Sequence, residues 1–150
     1  MSIRRQTHIR TSIKHAVEDI LRDYPYLPTY IKNRREELLH PIEDVDENVG
    51  GSRGNKINKP QEQMIITLDD DRQLHALERQ QNTIAAMLEH TDHDTRVILK
   101  ELYFKRYPQY TMGGLAQQHL IYCSRASGFR KRDAFVEELS KNLGMYVAER

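Results

Sequence analysis

An all-α fold is what this sequence predicts, and three observations predict it. Apolar residues recur at three- and four-residue steps, the spacing of a helix face, in one segment after another. Prolines fall where those stripes stop (Pro25, Pro28, Pro41 and Pro108) or begin again (Pro60). No segment reads convincingly as a strand. At 150 residues, 38% hydrophobic and 30% charged, the chain is long enough for one compact domain or two small helical ones. The expected division is residues 1–60, an N-terminal helical region with a Gly-containing linker, and residues 61–150, a long helix followed by a helix-turn-helix.

Ile9, Ile13, Val17, Ile20, Leu21 and Tyr24 form the first stripe, which Pro25 and Pro28 are expected to close. "TYIKNRREELLH" predicts a second helix, ended by Pro41, with Arg34, Arg35, Glu36 and Glu37 on a solvated face. Residues 41–60 read as a linker, acidic at Glu43, Asp44, Asp46 and Glu47, then loosened by Gly50, Gly51 and Gly54. From Pro60 to about His90 the pattern is helical again. Leu74, Leu77, Gln81, Ile84 and Leu88 follow heptad-like steps, with Gln81 at the polar position. Either the chain's own helices or a second copy, in a dimer, would cover that seam.

"TDHDTRVILKELYFKRY" opens with Thr91 and Asp94 at capping-box spacing and offers Val97, Ile98, Leu102 and Tyr103 as a buried face. "YPQY" breaks the helix. Thr111 then caps "MGGLAQQHL", with Tyr110 and Leu115 placed for a hydrophobic staple. Gly113 and Gly114 weaken that helix, so packing must hold it. After a short turn, Ser124 caps a last helix that runs to about Leu143 and buries Phe129, Val136, Leu139 and Leu143.

The net charge of +1 conceals an asymmetry. Between Leu102 and Arg132 there is no Asp or Glu, while Lys105, Arg106, Arg125, Arg130, Lys131 and Arg132 give +6; the rest of the chain sums to −5. Concentrated in this way, the charge makes a field that attracts phosphates. Short helix, tight turn and longer basic helix is the layout of a helix-turn-helix, whose second helix enters the major groove of duplex DNA. Ser124, Arg125, Ser127, Gly128 and Lys131 are the base-reading candidates, since the small residues permit close approach and an Arg fork matches guanine. Lys105, Arg106, Thr111, Arg130 and Arg132 are the phosphate-contact candidates.

"YPYLPTYIKNRREELLHP", "DENVGGSRGNKINKP" and "YCSRASGFRKRDAFVEEL" together resemble the RinA family of phage transcriptional regulators. "TMGGLAQQHLIYCSRASGFRKRDAF" also resembles the promoter-reading helix-turn-helix of sigma factor region 4, with Gly113 and Gly114 departing from its pattern and a longer turn before Ser124. The resemblance implies an activator of late phage genes for packaging and structure. It also implies a late-promoter DNA target, contact with host RNA polymerase, and residence in the bacterial cytoplasm on the nucleoid. A homo-oligomer, a dimer first, is the expected assembly.

Enzyme chemistry is not expected. His90 and His93 have HxxH spacing without the further ligands zinc needs. Asp69, Asp70 and Asp71 point around a helix rather than at one ion. Cys123 has no evident base or oxyanion site, and as the single cysteine it forms no internal disulfide. "GGSRGNK" lacks the spacing of a nucleotide-phosphate loop. No cofactor, metal or membrane span is expected. Two rival readings remain open at this level. One is the small DNA-recognition subunit of a phage packaging motor, which would assemble as a large ring. The other is a basic helix that docks on an acidic protein surface.

Overall fold

The structure, a computed structural model, describes residues 8–40, 68 and 70–148. The expected linker at 41–60, Asp69 and the first residues of the basic N-terminal arm lie outside the described residues. The chain is all-α. Its described helices are α1 (Thr11–Asp23), α2 (Leu27–Leu39), α3 (Arg72–Glu89), α4 (His93–Leu99), α5 (Met112–Gln117) and α6 (Arg125–Asn142). The one strand-like pairing among the described residues is a single bridge between Ile9 and Ala148, with the Arg10 amide donating to the Val147 carbonyl at 3.1 Å. No helix among them is long and apolar enough to cross a membrane.

Pro25 and Pro28 are expected to close the first helix; α1 does end at Asp23, but the chain keeps a helical course and Pro28 opens the next helix instead of ending the first. A 3₁₀ turn at Tyr24–Tyr26 leads straight into α2, with Pro28 in the first turn of that helix. There the missing N–H is no loss, because the first amides of a helix have no partner anyway. Helix α4 runs on into a π-helical turn at Lys100–Phe104, and Lys105 in extended conformation ends it before Pro108. At the far end, α6 closes with the Gly144 amide on the Lys141 carbonyl and the Met145 amide on the Ser140 carbonyl, at 3.0 and 2.8 Å. Gly144 has φ +71, the left-handed position that this type of helix end requires.

Helix α3 begins on Asp71, whose carboxylate accepts from the Leu74 amide at 2.7 Å. The same carboxylate accepts two hydrogen bonds from one edge of the Arg34 guanidinium of α2, from Nε and Nη2 at 3.1 and 2.8 Å. One residue thus caps a helix and joins α2 to α3. The Arg34 bonds, with the Leu74 amide second, hold the Asp71 carboxyl at a pKa of about 2, below the ordinary value. A carboxyl depressed on folding stabilises the fold above its unfolded pKa of about 3.9, and that contribution is lost as the pH falls through the folded value. The stability advantage of the wild type over Asp71→Asn, read from urea unfolding midpoints, is therefore expected to be full at neutral pH. It should shrink between about pH 4 and pH 2.

The main core joins the first helix to the last. Val17 and Leu21 of α1, Ile84 of α3, Leu99 of α4, Tyr103 of the π turn, and Phe135, Val136 and Leu139 of α6 form one buried cluster. The Tyr103 hydroxyl donates to Glu18 of α1 at 2.7 Å; burial first, then that carboxylate, pushes the tyrosine pKa up. Residue 60 is therefore a division along the chain and not through this core.

The heptad-like seam is covered from within. Leu74 and Ile84 are buried in the single chain, Ile84 packs among α1 and α6 residues, Leu88 packs against the same cluster, and α2 lies along α3. Leu77 lines a shallow surface recess with Tyr30 and Arg34 of α2, and Gln81 is half-buried. Leu74 and Ile84 are thus covered by the chain's own helices, while Leu77, Gln81 and Leu88 are half-buried.

Candidate nucleic-acid interface

A second, smaller core holds the C-terminal helices in register. Ile98 of α4, Met112 and Leu115 of α5, and Ile121 of the following turn are buried together; Tyr110, Cys123 and Phe129 pack against them. Tyr110 and Leu115 thus share an apolar cluster across the Thr111 cap, as the staple pattern predicts. The Thr111 hydroxyl accepts from the Gly114 amide at 3.1 Å, and the Ser124 hydroxyl from the Ser127 amide at 3.2 Å. These caps start α5 and α6 where the sequence placed them.

The turn at residues 118–124 is fixed from a distance. Asp94 of α4, only 8% exposed, accepts from the backbone amides of Tyr122 and Cys123 at 3.0 and 3.1 Å. Burial, then the Asp94 carboxylate, raises the pKa of the Cys123 thiol, which fits a packed turn residue better than a nucleophile. The expected capping box is corrected here. The N-cap of α4 is Asp92, not Thr91; Asp92 accepts from the Thr95 hydroxyl, and Asp94 serves the turn instead. His119 sits in the same turn with φ 55, a left-handed conformation that a side chain tolerates where the chain reverses sharply.

Gly128 faces inward. A Cβ there would meet the Met112 sulfur at 2.7 Å and Ile121 Cδ1 at 3.5 Å, so its small size admits α5 rather than a DNA groove. Its assignment as a base-reading residue is corrected. Lys131 points to the start of α4 and pairs with Asp92 at 2.5 Å, which holds its pKa up. On the other side, burial works against the Asp92 charge, but the bonds from Lys131 and Thr95 outweigh it and lower that pKa. Arg132 is engaged as well: it pairs with Asp133 at 2.8 Å, lies over the Phe129 ring at 4.9 Å, and its side chain is only 18% exposed. It is a packing residue of α6 rather than a free phosphate contact. Lys105 is held by Glu101 at 2.6 Å.

The remaining three of the six cations, Arg106, Arg125 and Arg130, make no ion pair with any described residue. Arg106 lies over the exposed Tyr107 ring at 5.4 Å. Arg125 lies over Phe129 at 4.9 Å, with its stem against Gly113 in the first turn of α5, where a Cβ would sit 3.4 Å from Arg125 Cδ. Arg130 is exposed. Ser124 and Ser127 lie at the start of α6 with their hydroxyls 3.2 Å apart. Positive charge is therefore left open at the loop before α5 and along the first half of α6, beside two capped helix starts. Sequence spacing missed Asp92 and Asp94 as the groups that aim this surface, because their partners lie 39 and 28 residues away.

Residues 13–141 match the model of a family described as a protein of unknown function, DUF722. The chain belongs to this family. The matched span takes in nearly all of α1 and of α6, so the DUF722 unit covers the first and last helices of the main core. No curated protein and no solved structure matches the chain.

Proposed function

We propose that this chain binds duplex DNA through α5, the turn at 118–124 and the first half of α6, and that it activates transcription of late phage genes from their promoter. The observation that carries the reading is the set of uncompensated guanidiniums, Arg106 in the loop before the short helix α5, and Arg125 and Arg130 on the longer helix α6 that follows the clamped turn. Arg125 lies beside Gly113 of α5 and Arg106 in the loop before it, and such unpaired guanidiniums suit backbone phosphates. Contact with host RNA polymerase belongs to the same proposal, and its warrant is the resemblance to RinA and sigma region 4. A dimer on DNA would leave Leu74 and Ile84, buried within the single chain, out of its interface.

Fluorescence anisotropy with a duplex carrying a phage late promoter, titrated at two salt concentrations against random competitor DNA, tests the reading. The expected result is one fragment that survives excess competitor at the higher salt. The double variant Arg106→Ala/Arg125→Ala should weaken all duplexes about equally and reduce the slope of log affinity against log salt by about two. Uniform loss of binding with salt for every fragment, or no binding at all, would sink the regulator reading.

A further inference from the structure

We infer that Arg130 is the side chain of α6 that reads sequence, through a guanine in the major groove, and that Arg125 holds a phosphate beside it. The inference rests on the DNA-binding reading and exchanges the roles that the sequence pattern gives these two residues. Which face of α6 is free decides the matter. Gly128, Phe135 and Leu139 point into the protein, against α5 and the main core. On the opposite side, Ala126, Arg130 and Ala134 stand one turn apart, at four-residue steps, and all three are exposed.

Arg130 is thus the one long cationic side chain in the centre of the outer face, with a methyl group above and below it. Methyl-sized neighbours let a helix backbone come close to a groove floor, and a lone Arg between them can reach base edges. Its planar fork meets O6 and N7 of guanine together, the pairing that no other base offers in the major groove. The other cations of the helix are directed elsewhere. Arg125 leans over Phe129 with its stem against Gly113, away from the centre of the outer face, which suits it to a backbone phosphate at the side of the groove. Lys131 is paired with Asp92, and Arg132 with Asp133. The acid nearest Arg130 on this face, Asp133, is neutralised by Lys14 at 3.3 Å and by Arg132. It does not stand as an open negative charge against DNA.

The test is selection of duplexes from a randomised pool with the full-length wild type and with Arg130→Ala, followed by binding to the enriched duplex. The wild type is expected to enrich a motif with a fixed guanine. Arg130→Ala should lose the preference at that one position, by about 5- to 150-fold in discrimination, and keep it elsewhere. Replacing that guanine by 7-deazaguanine removes the N7 acceptor; it should weaken the wild type and leave Arg130→Ala unaffected. Arg125→Ala should keep the whole motif. If Arg130→Ala weakens every duplex equally and selects an unchanged motif, Arg130 is a phosphate contact and the inference falls while DNA binding stands. If the wild type enriches no duplex, the DNA reading itself falls. Arg130 is exposed and makes no ion pair with a described residue, so an unchanged helical circular dichroism signal for Arg130→Ala is expected and separates a lost DNA contact from a lost fold.

Discussion

Leu21→Ala is expected to destabilise the whole molecule by about 2–5 kcal/mol, against a typical total stability of about 5–15 kcal/mol for a domain. Leu21 is fully buried, and its neighbours in the cluster come from α3, α4, the π turn and α6. Truncating it removes apolar burial and leaves a cavity where rigid helices meet, so the loss cannot be absorbed by α1 alone. Urea unfolding followed at 222 nm measures the effect, with amide hydrogen exchange in α6 as a second probe. A shared core makes both probes lose the same free energy in one transition. Were α1 part of an independent N-terminal unit, as the division at residue 60 implies, exchange in α6 would retain its wild-type protection. That outcome would refute the single core.

What the sequence made legible is what is local. The three- and four-residue stripe of Ile13, Val17, Ile20 and Leu21 identifies α1 because helix periodicity is a property of the segment itself. Thr111 and Ser124 were readable as caps because a cap and its amide lie three residues apart. The failures are those of direction. Small size at Gly128 was visible, but whether it admits DNA or Met112 depends on which way α6 is turned, and α5 sets that. The same rotation puts Lys131 and Arg132 on carboxylates of the protein and leaves Arg130 outside. Leu74 and Ile84 were correctly read as a seam, yet spacing does not say whose helix fills it. Charge counting located the basic surface. It could not tell a free guanidinium from a paired one, since Asp92 lies far back along the chain from Lys131.

Asp94→Ala is the prediction that joins stability to the proposed function. The substitution leaves two amides, those of Tyr122 and Cys123, without the acceptor they use in a nearly closed site. Each unsatisfied buried donor costs about 1–3 kcal/mol, so a total loss of about 2–4 kcal/mol is expected, toward the lower end where water reaches the exposed Tyr122. Asp94→Asn should resemble Ala more than wild type, because its amide has one oxygen to accept with and sets its own N–H₂ against the second donor. Urea unfolding gives the stability. The functional consequence is separable, because the turn that Asp94 clamps sets the angle between α5 and α6. Under conditions where both variants are folded, Asp94→Ala is expected to lose DNA affinity well beyond its unfolded fraction, whereas Leu21→Ala, of similar stability cost, should bind nearly as the wild type does. Misplacing a recognition helix by a fraction of a turn removes contacts that a remote cavity leaves in place. Equal affinity of the two folded variants would mean that the Asp94 clamp supports the fold only, and that α6 finds its groove without it.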